Sequence, residues 1–185
     1  MALVLDLLVC VVGLVVFAQH VWALRGHFAS TSMAGGAKVI SFGALSSCAI
    51  MLILTWWVDQ PVFAQVLGII LMPVSLILFW QAIRASRAAS LRYAFDTELP
   101  RQLVTDGPYR YIRHPFYSSY LIFWTGWAIA TWSIWAVVPI IAMAILYTSA
   151  ARYEEKRLGE SEMGRAYALY RKQAGLFWPR FPARS

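Results

Sequence analysis

The chain has 185 residues, 60% of them apolar and 14% charged, with a mean hydropathy of +0.59. A water-soluble domain carries about 45–50% apolar and about 25% charged residues, so a disordered chain, a coiled coil and an ordinary soluble domain are excluded and an integral membrane protein remains. The net charge of +7 would raise nucleic acid as a partner in a soluble protein; here the basic residues lie between long apolar runs, so membrane lipid headgroups are expected and nucleic acid is not.

Five stretches are long enough to cross about 30 Å of hydrocarbon. The first runs from Ala2 to Leu24. No basic segment precedes it and its apolar run is too long for a signal peptide, so it is expected to stay in the membrane. Asp6 lies near one end, where a carboxylate reaches the interface. The others are Ala37 to Val58, Val62 to Ile83, Phe116 to Trp132 and Ile134 to Ala151. Pro73 and Pro139 fall inside the third and fifth and are expected to kink them. Trp56, Trp57, Trp132 and Trp135 sit where an aromatic belt is expected. Cys10 and Cys48 lie within apolar runs, and His20, His27 and His114 are dispersed. Neither a disulfide framework nor a metal site is expected.

The basic residues are one-sided. Arg25 and Lys38 flank the first connection. Arg84, Arg87, Arg92, Arg101, Arg110 and Arg113 lie in the third, and Arg152, Lys156, Arg157, Arg165, Arg171, Lys172, Arg180 and Arg184 follow the last span. The second and fourth connections are short and carry only Asp59. The positive-inside rule then places the N-terminus outside and the C-terminus in the cytosol, in a pattern that suits a bacterial inner membrane. The third connection should extend span three from Arg84 to Arg92 and turn at Glu98-Leu99-Pro100. Tyr153 to Ala174 reads as one amphipathic helix, with Met163, Ala166, Tyr167, Tyr170 and Ala174 on its apolar face.

Two segments can carry chemistry. Thr105 to Tyr117 combines a Gly107-Pro108 turn, the guanidinium groups of Arg110 and Arg113, and the rings of Tyr109, Tyr111 and Tyr117. His114-Pro115 opens span four, with proline where a missing N–H costs nothing. The free N–H groups of that first turn favour a negative group. Taken alone, the segment also reads as a juxtamembrane collar of basic and aromatic residues. The second segment is Tyr147 to Leu158. Tyr147 and Glu154 are seven residues apart and share a helix face. Glu154 and Glu155 emerge from a span and need hydration or positive partners; Lys156, Arg157 and water meet that need, or one carboxylate holds the ribose or a cationic group of a cofactor.

Gly107-Pro-Tyr-Arg-Tyr-Ile-Arg-His-Pro-x-Tyr117 resembles the signature of the isoprenylcysteine carboxyl methyltransferase and phospholipid methyltransferase superfamily. Glu154, Glu155, Leu158, Gly164, Tyr167 and Tyr170 resemble its second element, and Trp178-Pro-Arg-Phe181 its tail. The likeness covers about Leu103 to Phe181, which it marks as the catalytic core within a single membrane domain over residues 1–185. It implies an all-α integral membrane fold: five transmembrane helices, with the cytosolic loop and the amphipathic C-terminal helix forming the cofactor pocket. It also implies an enzyme that uses S-adenosylmethionine, with a membrane-facing opening for a lipophilic acceptor.

Carried over by position, Gly107, Tyr109, His114, Pro115, Tyr117, Tyr147, Glu154 and Glu155 are expected at the cofactor. Arg113 and Glu154 are the candidate catalytic residues, with Arg113 orienting the acceptor. Ser119 departs from the glycine often found two residues after the motif tyrosine, so Ser118 and Ser119 are expected to alter the approach of span four. A Gly-x-Gly element of some phospholipid methyltransferases is not evident, which counts against phosphatidylethanolamine as acceptor. Methyl transfer from a sulfonium needs alignment and a dry passage rather than a metal. With no carboxylate in the Arg-His-Pro loop, a lipophilic or small thiol or carboxylate acceptor held by Arg113 fits slightly better than an amine. Two other readings stay open: an NADPH-dependent reductase of the sterol reductase type, against which Pro115-Phe116 before Tyr117 argues, and a non-enzymatic membrane protein that keeps the fold.

Overall fold

The computed structural model describes residues 2–27, 35–87 and 102–181. Six α-helices occur among them: α1 (Ala2–His27), α2 (Gly35–Trp57), α3 (Val62–Ser86), α4 (Pro115–Thr131), α5 (Val137–Gly159) and α6 (Gly164–Gln173). The described residues form no strand, only one isolated bridge between Ile112 and Gly175. Helices α1, α2, α3 and α5 are long and apolar enough to cross a membrane, consistent with an integral membrane protein. Arg92, Arg101, Arg184 and the expected turn at Glu98-Leu99-Pro100 lie outside the described residues, as does the side chain of Arg25.

The stretch expected as span four is helical to within one residue at each end, and it is shorter than the four helices just named. Helix α4 has 17 residues, about 25 Å at 1.5 Å per residue. It is the inner helix of the bundle and packs against α1, α2, α3 and α5. Its hydroxyl residues Ser118, Ser119 and Thr131 are buried. It ends at Trp132, which takes a left-handed conformation at φ 48°. The Trp132 ring packs edge-on against Phe63 at 5.0 Å.

Small residues set the α3–α4 distance. A Cβ added to Gly68 would stand 2.5 Å from both the Ala130 Cβ and the Gly126 carbonyl oxygen, so the backbones touch in the manner of small-residue membrane contacts. Phe123, Trp124 and Trp127 of α4 fill the surrounding core with Met51, Met72 and Met143. The buried indole N–H groups have partners, as large aromatic residues in a dry core require: Trp124 Nε1 donates to the Tyr147 hydroxyl at 3.2 Å, and Trp127 Nε1 to Thr55 Oγ1 at 3.4 Å. At the far end from the loop, Gln65 Nε2 donates to Asp6 Oδ1 at 2.6 Å and ties α3 to α1. The outer faces carry exposed Leu7, Val11, Phe42, Ile53, Ile77, Ile141 and Ile145, an apolar girdle suited to lipid tails.

Two local expectations change. Pro139 lies in the first turn of α5 rather than in its interior, where its missing N–H leaves no helix bond unmade; Pro73 does lie inside α3, which continues through it. The expected single helix from Tyr153 to Ala174 is broken: α5 runs on to Gly159, a turn follows, and α6 starts at Gly164. The turn is tight because a Cβ on Gly164 would collide with the Gly159 carbonyl oxygen. Tyr167, Tyr170 and Ala174 of the expected apolar face are buried against Leu103 and Leu158.

Candidate active site

The loop before α4, the last turns of α5 and the tail after α6 meet at one end of the bundle. Gly107 starts a one-turn 3-10 helix over Gly107–Arg110, with φ +57°, a conformation glycine tolerates without strain. Pro108 fixes the next position, and the Tyr109 ring drops into a cluster with Phe79, Ile83 and Phe116. Burial pushes the Tyr109 phenol above its ordinary range. Main-chain bonds then lace the loop to the tail. Arg113 N donates to the Gly175 carbonyl at 2.8 Å and His114 N to that of Leu176 at 3.2 Å. Gly175 N and Arg180 N donate to the Tyr111 carbonyl at 2.9 and 3.0 Å. The Tyr170 hydroxyl donates to the Tyr109 carbonyl at 2.7 Å, and Ser118 Oγ donates to that of Phe177 at 2.7 Å.

The two glutamates are adjacent on α5 and point about 100° apart. Their environments differ. Glu155 accepts from Arg113 Nε at 2.7 Å, lies 3.3 Å from His114 Nε2 and 3.9 Å from Arg171 Nε, and its side chain is 9% exposed. Glu154 accepts from the Tyr117 hydroxyl at 2.6 Å and lies 3.5 Å from His114 Nδ1, with its side chain still 32% exposed. His114 thus stands between two carboxylates. Burial disfavours its charged form, but hydrogen bonds and charge from Glu154 and Glu155 outweigh burial and raise its pKa above the ordinary histidine value. Burial, and then the Glu155 charge, push the Tyr167 phenol upward, so it stays protonated.

Flat rings line the side of this cluster that faces the bundle. Tyr117 stacks on His114 at 5.7 Å and on Tyr147 at 5.2 Å, and Phe177 meets Tyr117 edge-on at 6.3 Å. Tyr120 continues the group toward the core, 5.5 Å from Tyr147.

The structure therefore brings together Arg113, His114, Tyr117, Tyr147, Glu154 and Glu155. Pro115 is buried directly beneath, in the first turn of α4. Gly107 stands apart and borders a shallow apolar groove of about 280 Å³ with Leu78, Ile112, Pro179 and Phe181. Arg113 is heavily engaged: besides Glu155, its Nη1 donates to the Ala174 carbonyl and, at 3.4 Å, to that of Arg171. Ser118 ties α4 to the tail, whereas Ser119 bonds back to the Phe116 carbonyl at 2.7 Å. Tyr120, Phe177 and Arg171 are site residues that the sequence reading missed. Tyr120 lies three residues after Tyr117, one helix turn away, a spacing that marks it as a neighbour. Nothing local marks Phe177 or Arg171. No group of acidic, histidine or cysteine side chains capable of holding a metal occurs among the described residues.

Residues 63–162 match the sequence model of the phospholipid methyltransferase family. The chain belongs to that family. The match begins in α3, takes in the loop, α4, α5 and both glutamates, and stops before α6. The family is part of the superfamily of integral-membrane methyltransferases that the Arg-His-Pro motif and paired glutamates resemble. No curated protein matches the chain. The family assignment makes the protein a membrane methyltransferase in general terms, and its aromatic and carboxylate cluster lies within the family's matched region except for Phe177 and Arg171.

Proposed function

We propose that this methyltransferase uses S-adenosylmethionine to methylate a lipophilic or small acceptor at the cytosolic face of a membrane, with the catalytic core running from Leu103 to Phe181. One observation carries the reading: a carboxylate left partly open, Glu154, beside a stack of aromatic rings that runs from His114 through Tyr117 to the buried Tyr147. That donor set fits a cation. Glu154 would hold a positive or hydroxyl group of the cofactor, and the faces of Tyr117, His114 and Phe177 suit a sulfonium. The bound cofactor would supply an electrophilic methyl group whose transfer cancels a positive charge. Tyr117 orients Glu154, Tyr147 supports the Tyr117 ring, and Glu155 with Arg113 and His114 fixes the loop on α5. A phosphate-rich dinucleotide fits less well, because carboxylates dominate the cluster and Arg113 Nε and Nη1 are already engaged.

The same engagement assigns Arg113 to holding the tail rather than the acceptor. The preference for a thiol or carboxylate acceptor rested on the lack of a carboxylate in the loop and on Arg113 to hold the acceptor; it weakens with Arg113 engaged and with Glu154 and Glu155 beside His114. The tail over Tyr109–His114 acts as a cover that excludes water, and the acceptor enters sideways from the membrane. Five spans, with α4 as the fourth and the N-terminus outside, keep this end of the bundle in the cytosol of a bacterial inner membrane. Binding of isotopically labelled S-adenosylmethionine to detergent-purified protein, with NADPH as competitor, tests the reading. Saturable binding that NADPH does not displace is expected; no binding, or displacement by NADPH, refutes it.

A further inference from the structure

The apolar groove beside Gly107 lies outside the carboxylate and aromatic cluster. One wall is the end of α3, with Leu78 and Gln81. The others are Pro108 and Tyr111 of the loop and Pro179 and Phe181 of the tail. Helix α3 sets its depth in the membrane. The helix begins at Val62, so Leu78 and Gln81 stand about 24 and 28 Å along its axis at 1.5 Å per residue. A helix that enters the hydrocarbon near Val62 leaves it about 30 Å later, at this groove. The groove therefore sits where acyl chains meet headgroups. The Phe181 ring meets Tyr111 at 5.5 Å yet is still 73% exposed, so protein covers only part of it. Such an exposed apolar surface beside a bilayer calls for a cover.

Three arginines border the groove. Arg180 lies between Pro179 and Phe181, and its N–H donates to the Tyr111 carbonyl at 3.0 Å. Arg110 holds its guanidinium 5.8 Å from the centre of the Tyr111 ring. Arg84 follows Gln81 by three residues, on the same side of α3. All three are exposed, and no ion pair among the described residues holds any of them. The carboxylate nearest in sequence is the exposed Asp106, just before Gly107. Positive charge thus predominates at one end of an apolar slot.

We propose that this groove binds a phospholipid of net negative charge from the surrounding bilayer. One acyl chain lies along Leu78, Tyr111 and Phe181, and the phosphate sits among Arg84, Arg110 and Arg180. Guanidinium groups pair with phosphate oxygens and repel a headgroup that carries its own ammonium, so phosphatidylglycerol fits better than phosphatidylcholine. The lipid is a holding ligand and not a substrate. Main-chain bonds tie the tail to the loop; the lipid ties it to α3 as well. Anionic lipid therefore keeps the tail closed on the loop, whatever acceptor is methylated.

The test places the full chain in nanodiscs of phosphatidylcholine alone and of phosphatidylcholine mixed with phosphatidylglycerol. Two variants accompany it: Arg110→Gln with Arg180→Gln, which removes charge, and Leu78→Trp, which fills the groove and leaves the charges. Native mass spectrometry of protein released from the mixed discs reads the lipid that stays bound. The unaltered chain should retain phosphatidylglycerol over phosphatidylcholine by about tenfold or more. The double variant should lose that preference, and Leu78→Trp should lose the retained lipid. Segment-resolved hydrogen exchange gives a second readout. With phosphatidylglycerol present, amides of residues 175–181 should exchange severalfold more slowly in the unaltered chain and at the same rate in the double variant. The comparison of the two discs needs no substitution, so it decides even where a variant fails to fold. Absence of the preference, its survival in both folded variants, or tail exchange indifferent to phosphatidylglycerol overturns the proposal. Inorganic phosphate that slows the tail equally well in phosphatidylcholine discs, or a dimer formed without retained lipid, overturns it too.

Discussion

Replacing Arg113 with alanine should release the tail from the loop without dismantling the bundle. The Arg113 guanidinium pairs with Glu155 at 2.7 Å, with side chains 10% and 9% exposed, and also donates to the Ala174 and Arg171 carbonyls. Breaking one side of a buried pair costs about 3–5 kcal/mol when the remaining charge is stranded. Glu155 is not stranded, because His114 and Arg171 stay beside it, so the loss of a charge-assisted bond, about 2–3 kcal/mol, is the better figure. The main-chain bonds from Tyr111, Arg113 and His114 to residues 175–180 survive, along with those of Tyr170 and Ser118. The tail should therefore open more often rather than detach. At about 1.4 kcal/mol per tenfold, the open population should rise about 30- to 150-fold. Hydrogen exchange resolved by segment reads this directly: amides of residues 164–176 should exchange faster by that factor, while those of α3 and α4 keep their protection. Arg113→Lys should recover part of the effect, since it restores charge without the fork. Unchanged exchange in the tail, or uniform acceleration across the bundle, would refute the latch.

Glu154→Gln should weaken S-adenosylmethionine binding by roughly tenfold or more, the worth of one charge-assisted bond, and Tyr117→Phe should do so to a smaller extent; calorimetry on folded protein checks both, and normal affinity in the two would remove Glu154 from the site. Gly68→Leu should destabilise the bundle by about 1–3 kcal/mol through overpacking against Ala130 and Gly126, measured as a lower melting temperature in detergent. His114 has a raised pKa in the fold, so its pairing with the glutamates contributes fully below its unfolded value near 6.5 and is lost as pH rises through the higher folded value. Tail protection should accordingly fall as pH rises through that raised value, and His114→Gln should abolish that pH dependence. Reporter fusions at Gln60 and after the tail should report opposite sides of the membrane; a cytosolic signal at Gln60 would sink the proposed orientation.

Hydropathy placed α1, α2, α3 and α5 well, because long apolar runs have few alternatives in a membrane. It placed α4 to within one residue at each end, and it missed most at the end of α5, which runs on to Gly159 because the charged residues after Ala151 lower hydropathy without ending the helix. The Gly159–Gly164 break escaped notice because periodicity in Tyr167, Tyr170 and Ala174 continues in phase with the helix before it. For the site, the Arg-His-Pro loop and the glutamates were legible as residue types, and the structure brings them together. The division of labour was not. Glu155 and Glu154 are neighbours of the same type, and only partners 37 to 42 residues away in sequence distinguish them. Arg113 likewise reads as free until the Ala174 carbonyl comes into place beside it.

The lacing of residues 111–114 to residues 175–180 has a consequence for biosynthesis. Translation delivers the loop well before the tail, so α4 and α5 can insert while Glu155 and His114 still face water. The cluster closes only once the segment through Arg180 has cleared the ribosome and folded back. A stalled product ending near Glu162 would hold every apolar helix and both glutamates, and would still lack the Phe177 ring and the Gly175 clamp. Completion of the tail thus separates a merely inserted polypeptide from one in which loop, glutamates and tail are joined.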